Sequence, residues 1–501
     1  MLARIIDNDW IYLDQVTIGV EPKLVEYFSV RHPRMRFIDT TQQAWDGVYR
    51  KYDVKRQRLA RPLLDELIQL CQTQQIPLQL LDERPIADAL PDPSIVGPDF
   101  LAGITLEQYQ IDAIKTACER EVGIFNVQTG GGKTEIMAGI TKLFGCTTVI
   151  IAEQRIVIEQ IKERLQLRDL FDVGLFYGGE TPTGQKIVVG SIQSLSTPSE
   201  SYKVKKPQEF AIRLKHAREF QAIVKKAELL LVDEADKATN KQYRSLFKFF
   251  FDGRRKYGFS ATPFDVKRPV QNLILKEHMG SIIFQTDRKE LERLGRIIPV
   301  RFYMMVVGED GSKTDKTVFD VAEREQMIDN SDFHDKVAKI VEAFPDDATL
   351  ILVDTLNVED LGKALEKRIA GSQFIYGKTP QGTRNKALRA FEKREIKCLI
   401  GGKILKRGLD LKGGVDNLII CGGGNLWSDY EQKIGRALRV NAKKWSRVFS
   451  FMFLNNHYLY KHGREQLKAI VDMGYPAKVI FSDVTVDGAQ LVASRFRKPK
   501  K

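Results

Sequence analysis

The chain has 501 residues, 43% hydrophobic and 29% charged, the balance of a soluble globular protein; at roughly 150 residues per domain there is room for about three domains. Lys and Arg number 78 against 65 Asp and Glu, and the net charge of +13 attracts polyanions, nucleic acid before membrane, since no apolar run approaches the roughly 18 residues of a bilayer span. Asp7 and Asp9 fall where a signal peptide would be apolar, and the five cysteines (Cys71, Cys118, Cys146, Cys398, Cys421) and six histidines form no zinc or redox pattern, so neither disulfides, structural zinc nor membrane attachment is expected and the cytosol is the expected compartment.

The first 95 or so residues differ in texture from the rest and end in a proline-punctuated stretch, Pro85, Pro91, Pro93 and Pro98, that reads as a linker. Within them Arg31 to Pro62 holds nine Lys/Arg against three Asp, including Arg36, Arg50 and Lys51, interleaved with Phe37, Trp45, Tyr49 and Tyr52. Cations with aromatics suit a phosphate surface with ring contacts. The competing reading is a solvated basic face on a small α+β domain whose aromatics are its core.

From residue 97 onward short apolar runs alternate with helical patterns. Val122–Val127, Thr148–Ala152, Ile187–Val189, Leu229–Val232 and Tyr257–Phe259 form one series of strand candidates; Leu350–Val353, Phe374–Tyr376, Lys397–Ile400, Asn417–Cys421 and Arg447–Phe453 form a second. The stretch Ser196 to Glu228 is long and basic for a connection, and its Phe210–Ala222 part predicts an amphipathic helix inserted into the first series. The expected architecture is α/β: a small α+β N-terminal domain (1–95) followed by two tandem parallel-sheet domains (96–295 and 296–501).

Two motifs carry chemistry. Gln128-Thr129-Gly130-Gly131-Gly132-Lys133-Thr134 follows an apolar strand and opens a helical pattern, the context of a phosphate-binding loop. Its glycines let backbone N–H groups converge on phosphates, Lys133 can neutralise the β/γ charge of ATP, and the Thr134 hydroxyl can ligate Mg²⁺. A hundred residues later Leu229–Val232 runs into Asp233-Glu234-Ala235-Asp236, acids at the carboxyl end of a buried parallel strand. Asp233 can hold Mg²⁺ and Glu234 can polarise an attacking water.

Together these residues resemble the superfamily 2 helicases and translocases, whose domains are RecA-like, and further matches follow in that family's order. Tyr109-Gln110 is similar to the adenine-reading motif; Val149 to Arg155, Gly178-Gly179 and the segment around Ser191 resemble elements that touch a strand backbone; Ser260-Ala261-Thr262 resembles the motif that couples the ATP and nucleic-acid sites. In the second domain Arg384 lies in an element of the family's strand contacts, and Arg407-Gly408-Leu409-Asp410 is similar to the motif in which the arginine meets phosphate and Gly408 and Asp410 serve the nucleotide. Gln432 to Arg439 is similar to the motif that supplies catalytic Gln432 and arginine fingers, here Arg436 and Arg439 on one helix face. Arg36-Phe37 followed by Ala44-Trp45-Asp46-Gly47 resembles the small DNA-binding domain of UvsW-type phage helicases.

The resemblance implies an ATP- and Mg²⁺-dependent DNA helicase, with the nucleotide between the two α/β domains, that unwinds or branch-migrates forks and junctions in recombination, repair or replication restart. It is expected to act as a monomer on single-stranded and branched DNA, in a bacterial or phage-infected cytosol. The alternatives are an RNA helicase and a nucleotide-gated protein that clamps or anneals nucleic acid without unwinding it.

Overall fold

The structure, a computed structural model, describes residues 1–33, 45–85, 90–198, 200–250, 255–309, 319–355, 357–402, 414–422, 434–435 and 441–496. Internal contacts divide the chain into two units, one of Met1–Gln128 with Gly132–Thr286 and one of Thr129–Gly131 with Asp287–Lys501. No helix among the described residues is long and apolar enough to cross a membrane.

The first unit begins with β1 (Leu2–Ile5), β2 (Trp10–Asp14), α1 (Glu21–Tyr27), β3 (Ser29–Arg31), β4 (Val48–Arg50), β5 (Arg58–Ala60), α2 (Leu64–Thr73) and β6 (Gln79–Asp82). Alternation in β1 and β2 turns Ala3, Ile5, Ile11 and Leu13 inward, and with Leu24, Phe28, Leu59, Leu63 and Leu67 they form a separate core. The sheet runs β5-β2-β1-β6, antiparallel except for β1 with β6, and β3 and β4 form a separate antiparallel pair.

This module is tied by charge to the larger part of its unit, which adds α3 (Gln108–Glu119), β7 (Val122–Asn126), α4 (Lys133–Phe144), β8 (Thr148–Ala152), α5 (Arg155–Gln166), β9 (Val173–Phe176), β10 (Ile187–Ser191), α6 (Glu200–Lys205), α7 (Pro207–Lys226), β11 (Leu229–Asp233), α8 (Lys241–Phe249), β12 (Arg255–Ser260), α9 (Pro269–Met279) and β13 (Ile282–Gln285). Lys51 pairs with Glu277 at 2.6 Å and Lys276 with Glu66 at 2.7 Å. Glu121 faces two buried guanidiniums, Arg61 and, at 3.0 Å, Arg84. The seven strands are all parallel in the order β13-β7-β12-β11-β8-β10-β9, with apolar clusters on both faces. Burial on both faces is why β8 reads as an unbroken apolar run, Thr-Val-Ile-Ile-Ala.

The second unit comprises α10 (Arg288–Arg293), β14 (Val300–Val307), α11 (Phe319–Glu323), α12 (Ser331–Glu342), β15 (Thr349–Val353), α13 (Val358–Arg368), β16 (Ser372–Ile375), α14 (Gln381–Glu392), β17 (Cys398–Gly401), β18 (Asn417–Cys421), β19 (Ser446–Phe453), α15 (His457–Asp472), β20 (Ala477–Ile480), β21 (Thr485–Asp487) and α16 (Gly488–Ala493). Its sheet runs β16-β17-β15-β18-β19-β14-β20-β21, parallel except for the antiparallel β20–β21 pair. The expected architecture is thus present: two parallel-sheet α/β units, RecA-like in layout, with a small α+β module at the N-terminus. The inserted helix, Pro207–Lys226, is longer than the apolar pattern over 210–222 predicts, because its exposed first turn and its Lys225-Lys226 end carry no apolar pattern.

Candidate active site

Three adjacent strands bring the chemistry together. β12 pairs with β7 on one side and β11 on the other, with Ser260 opposite Asn126 and Phe259 opposite Asp233. The phosphate loop, the Asp233 quartet and the Ser260 segment, far apart in sequence, therefore leave the sheet at one level, at the carboxyl ends of parallel strands where ligands of such sheets bind.

The loop bends into α4 through Gly132, whose φ of +75° lies in the left-handed region. A Cβ there would also fall 2.4 Å from Gln110 Nε2 and push that side chain aside. Gln110 and Tyr109 are buried at the start of α3, where Gln110 Oε1 accepts from the Glu107 N–H at 3.0 Å and closes a capping box. The loop's first residue is pinned by the Gln128 N–H donating to Thr286 Oγ1 at 3.1 Å. Thr129, Gly130 and Gly131 complete the loop, with Gly130 also left-handed at φ +89°. Lys133 and Thr134, at the first turn of α4, are partly buried.

Lys133 Nζ lies 3.7 Å from Glu234 Oε1. Glu234 holds φ +50° and ψ +52°, a left-handed conformation that costs a non-glycine residue about 1–3 kcal/mol and is characteristic of functional positions. Asp233 has no ion-pair partner among the described residues, and burial pushes its pKa up to about 6, Lys133 opposing. Burial likewise pushes Asp236 up to about 7. A desolvated carboxylate that no lysine among the described residues pairs with directly fits Mg²⁺, which takes one or two protein ligands and completes its shell with phosphate and water. Among the described residues no cluster of three or more His, Cys, Asp or Glu forms an all-protein metal cage.

From this centre a polar chain leads toward the neighbouring strand ends. Ser260 Oγ donates to Asp236 Oδ1 at 2.9 Å and accepts from the Thr262 N–H at 3.2 Å, with Ala261 between them. Lys237, next to Asp236, pairs at 3.2 Å with Glu153 at the end of β8. Two residues on, exposed Arg155 opens α5, paired with Glu159 at 2.9 Å and lying 5.0 Å over the Tyr177 ring. Gly178 and Gly179 (φ +57° and +100°) and Ser191 lie at the ends of β9 and β10 and line one cavity. The Lys237–Glu153 pair was not foreseen from the sequence; its only signal is a lysine directly after the acidic quartet.

The other expected nucleic-acid contacts are scattered. Trp45 Nε1 donates to Val48 O at 3.1 Å and its ring meets Tyr49 edge-on at 5.0 Å, while exposed Arg50 pairs with Asp46. Lys51 is engaged with Glu277 rather than presented to solvent. Arg384, on α14, donates to Thr379 O at 3.1 Å. Arg36, Arg407, Gly408, Asp410, Gln432, Arg436 and Arg439 lie outside the described residues.

Residues 103–265 match the family described as type III restriction enzyme, res subunit, and residues 334–441 the helicase conserved C-terminal domain. The DNA 3'-5' translocase XPB2 of Sulfurisphaera tokodaii is 25% identical over 402 residues, 72% of this chain and 84% of that protein. Among solved structures, T4 UvsW is 16% identical, with 96% of this chain and 99% of that one covered and a TM-score of 0.43. The S. cerevisiae Dbp5 structure is also 16% identical, with 75% and 90% covered and a TM-score of 0.50, a likeness of fold. With these two family models matched in order, one on each parallel-sheet unit, the chain resembles the superfamily 2 DNA helicases and translocases.

Proposed function

We propose that the protein is an ATP-dependent DNA helicase or translocase acting on branched DNA. The observation that carries this reading is the convergence of the phosphate loop, the Asp233 quartet and Ser260 on three adjacent strand ends, in a chain with two helicase-type domains. The net charge of +13 favours a nucleic-acid track, and the name of the XPB2 relative favours DNA.

In this reading Lys133 neutralises the phosphates of ATP, and Asp233 and Thr134 would hold Mg²⁺, which when bound would withdraw charge from the transferred phosphoryl group. Glu234 orients and deprotonates the attacking water; its contact with Lys133 holds it in place until substrate enters. Asp236 passes the occupancy of the site to Ser260 on one side and, through Lys237, to Glu153 and the start of α5 on the other. The end of β8 then senses the nucleotide without touching it, which is what coupling hydrolysis to a strand requires. By resemblance alone, Arg436 and Arg439 supply transition-state charge.

Steady-state ATPase measured side by side with single-stranded DNA, duplex, a synthetic four-way junction and RNA tests the proposal. Stimulation by DNA, strongest with the junction, is expected. Strong stimulation by RNA alone would overturn it.

A further inference from the structure

Gly178, Gly179 and Ser191 form one side of an open cavity of about 670 Å³, and the other side is built by the inserted helices, with Tyr202, Arg213 and His216. The two sides differ in chemistry. On the strand-end side the glycines expose bare backbone, with nothing within 4 Å of where a Cβ would stand, and Ser191 adds a hydroxyl. On the helical side the Arg213 guanidinium lies 4.6 Å from the centre of the Tyr202 ring, whose hydroxyl donates to Glu209. Residues 200–226 carry eight Lys/Arg against three Glu.

The helical side is held firmly. Phe220 of α7 is buried and stacks on Phe176 of β9 with ring centroids 4.4 Å apart, and a Cβ on Gly190 would fall 2.1 Å from the Phe220 ring, so β10 carries glycine where the helix presses closest. Gln221 Nε2 donates to Leu195 O at 3.1 Å. An insertion anchored this way cannot fold aside without emptying a core position.

We propose that α6 and α7 form the second wall of a single-strand DNA path, with the sugar-phosphate backbone on the glycine and serine side and a base stacked against Tyr202 and Arg213. This rests on the helicase reading and adds a base-contacting surface to it. Stacking on an aromatic ring capped by a planar cation is sequence-tolerant, as a translocating enzyme needs, and a guanidinium does it better than an ammonium.

The test uses the full chain and two fluorescent 20-mers, oligo-dT and an abasic analogue with the same phosphates. Wild type is expected to bind oligo-dT about fivefold tighter or better, by the usual worth of a stacked base. Tyr202→Ala with Arg213→Ala should bring the two affinities to parity. Arg213→Lys, a surface change that leaves folding intact, should keep the salt dependence and lose part of the preference. A wild-type preference that survives the double substitution in a protein of unchanged thermal midpoint would overturn the wall, as would equal wild-type binding of the two oligonucleotides. DNA-stimulated turnover with either result removes the wall alone; binding of neither oligonucleotide and no stimulation by any DNA removes the helicase reading as well.

Discussion

Replacing Asp233 by Asn should stabilise the ligand-free protein at neutral pH while abolishing hydrolysis. Burial raises this carboxyl from the ordinary 3.8 to about 6. A shift of about two units, at about 1.4 kcal/mol each, corresponds to ~3 kcal/mol of disfavoured ionisation well above pH 6. Partial solvent access and the loss of Lys133's attraction reduce the net gain for the variant to about 1–2 kcal/mol. The sign follows from linkage. A carboxyl whose folded pKa lies above its unfolded value favours the folded state below pH 4, and that stability is lost as pH rises through 6. The variant should therefore match wild type near pH 4 and exceed it at pH 7.5, read as the urea midpoint of the transition of the first unit. Mg-ATP should narrow the difference, because only wild type gains the metal, and turnover should fall about 10²-fold or more. A variant less stable at pH 7.5, or a difference independent of pH, would show that Asp233 is a structural hydrogen-bonding group rather than a desolvated ligand.

Glu234→Gln should bind ATP and hydrolyse it poorly, since the amide keeps the size and loses the basic oxygen; equilibrium nucleotide binding beside single-turnover hydrolysis decides it, and loss of binding would indicate a structural role. Glu121→Ala should cost about 3 kcal/mol by removing the carboxylate that faces the buried Arg61 and Arg84, whereas a loss below about 1 kcal/mol in urea unfolding would mean that apolar contacts alone dock the N-terminal module. Trp45→Ala with Arg50→Ala should weaken binding to a four-way junction more than to single-stranded DNA and reduce the salt slope by about 1. Equal losses on both, in titrations at several salt concentrations, would make this hairpin a general electrostatic grip. These substitutions test the segment more cleanly than removing residues 1–95, which would strip partners from Glu121, Glu277 and Lys276.

The strands that meet the candidate site were legible in the sequence because both their faces are buried: Val122–Val127, Leu229–Val232 and Tyr257–Phe259 could only be central strands followed by chemistry. The two edge strands of the first sheet were not. β9 (Val-Gly-Leu-Phe) and β13 (Ile-Ile-Phe-Gln) are four residues long, and β13 is half exposed, so neither has a pattern distinct from a loop. Motif order placed Asp236 and Ser260 in one neighbourhood, but the Ser260–Asp236 bond and the Lys237–Glu153 pair depend on strand order, which no local spacing encodes. Lys51 shows the converse. Its sequence context marks a nucleic-acid contact, and a glutamate 226 residues away claims it.

The ion pairs of the N-terminal module have a mechanical consequence. Lys51–Glu277 and Lys276–Glu66 clamp the module to α9, whose following strand β13 lies directly beside β7, the strand that feeds the phosphate loop. The β3–β4 pair is thereby fixed against the body that carries the phosphate loop rather than tethered to it. The pairs that make this linkage are partly buried, so salt screens them much less than exposed pairs and the docking of the module changes little with ionic strength.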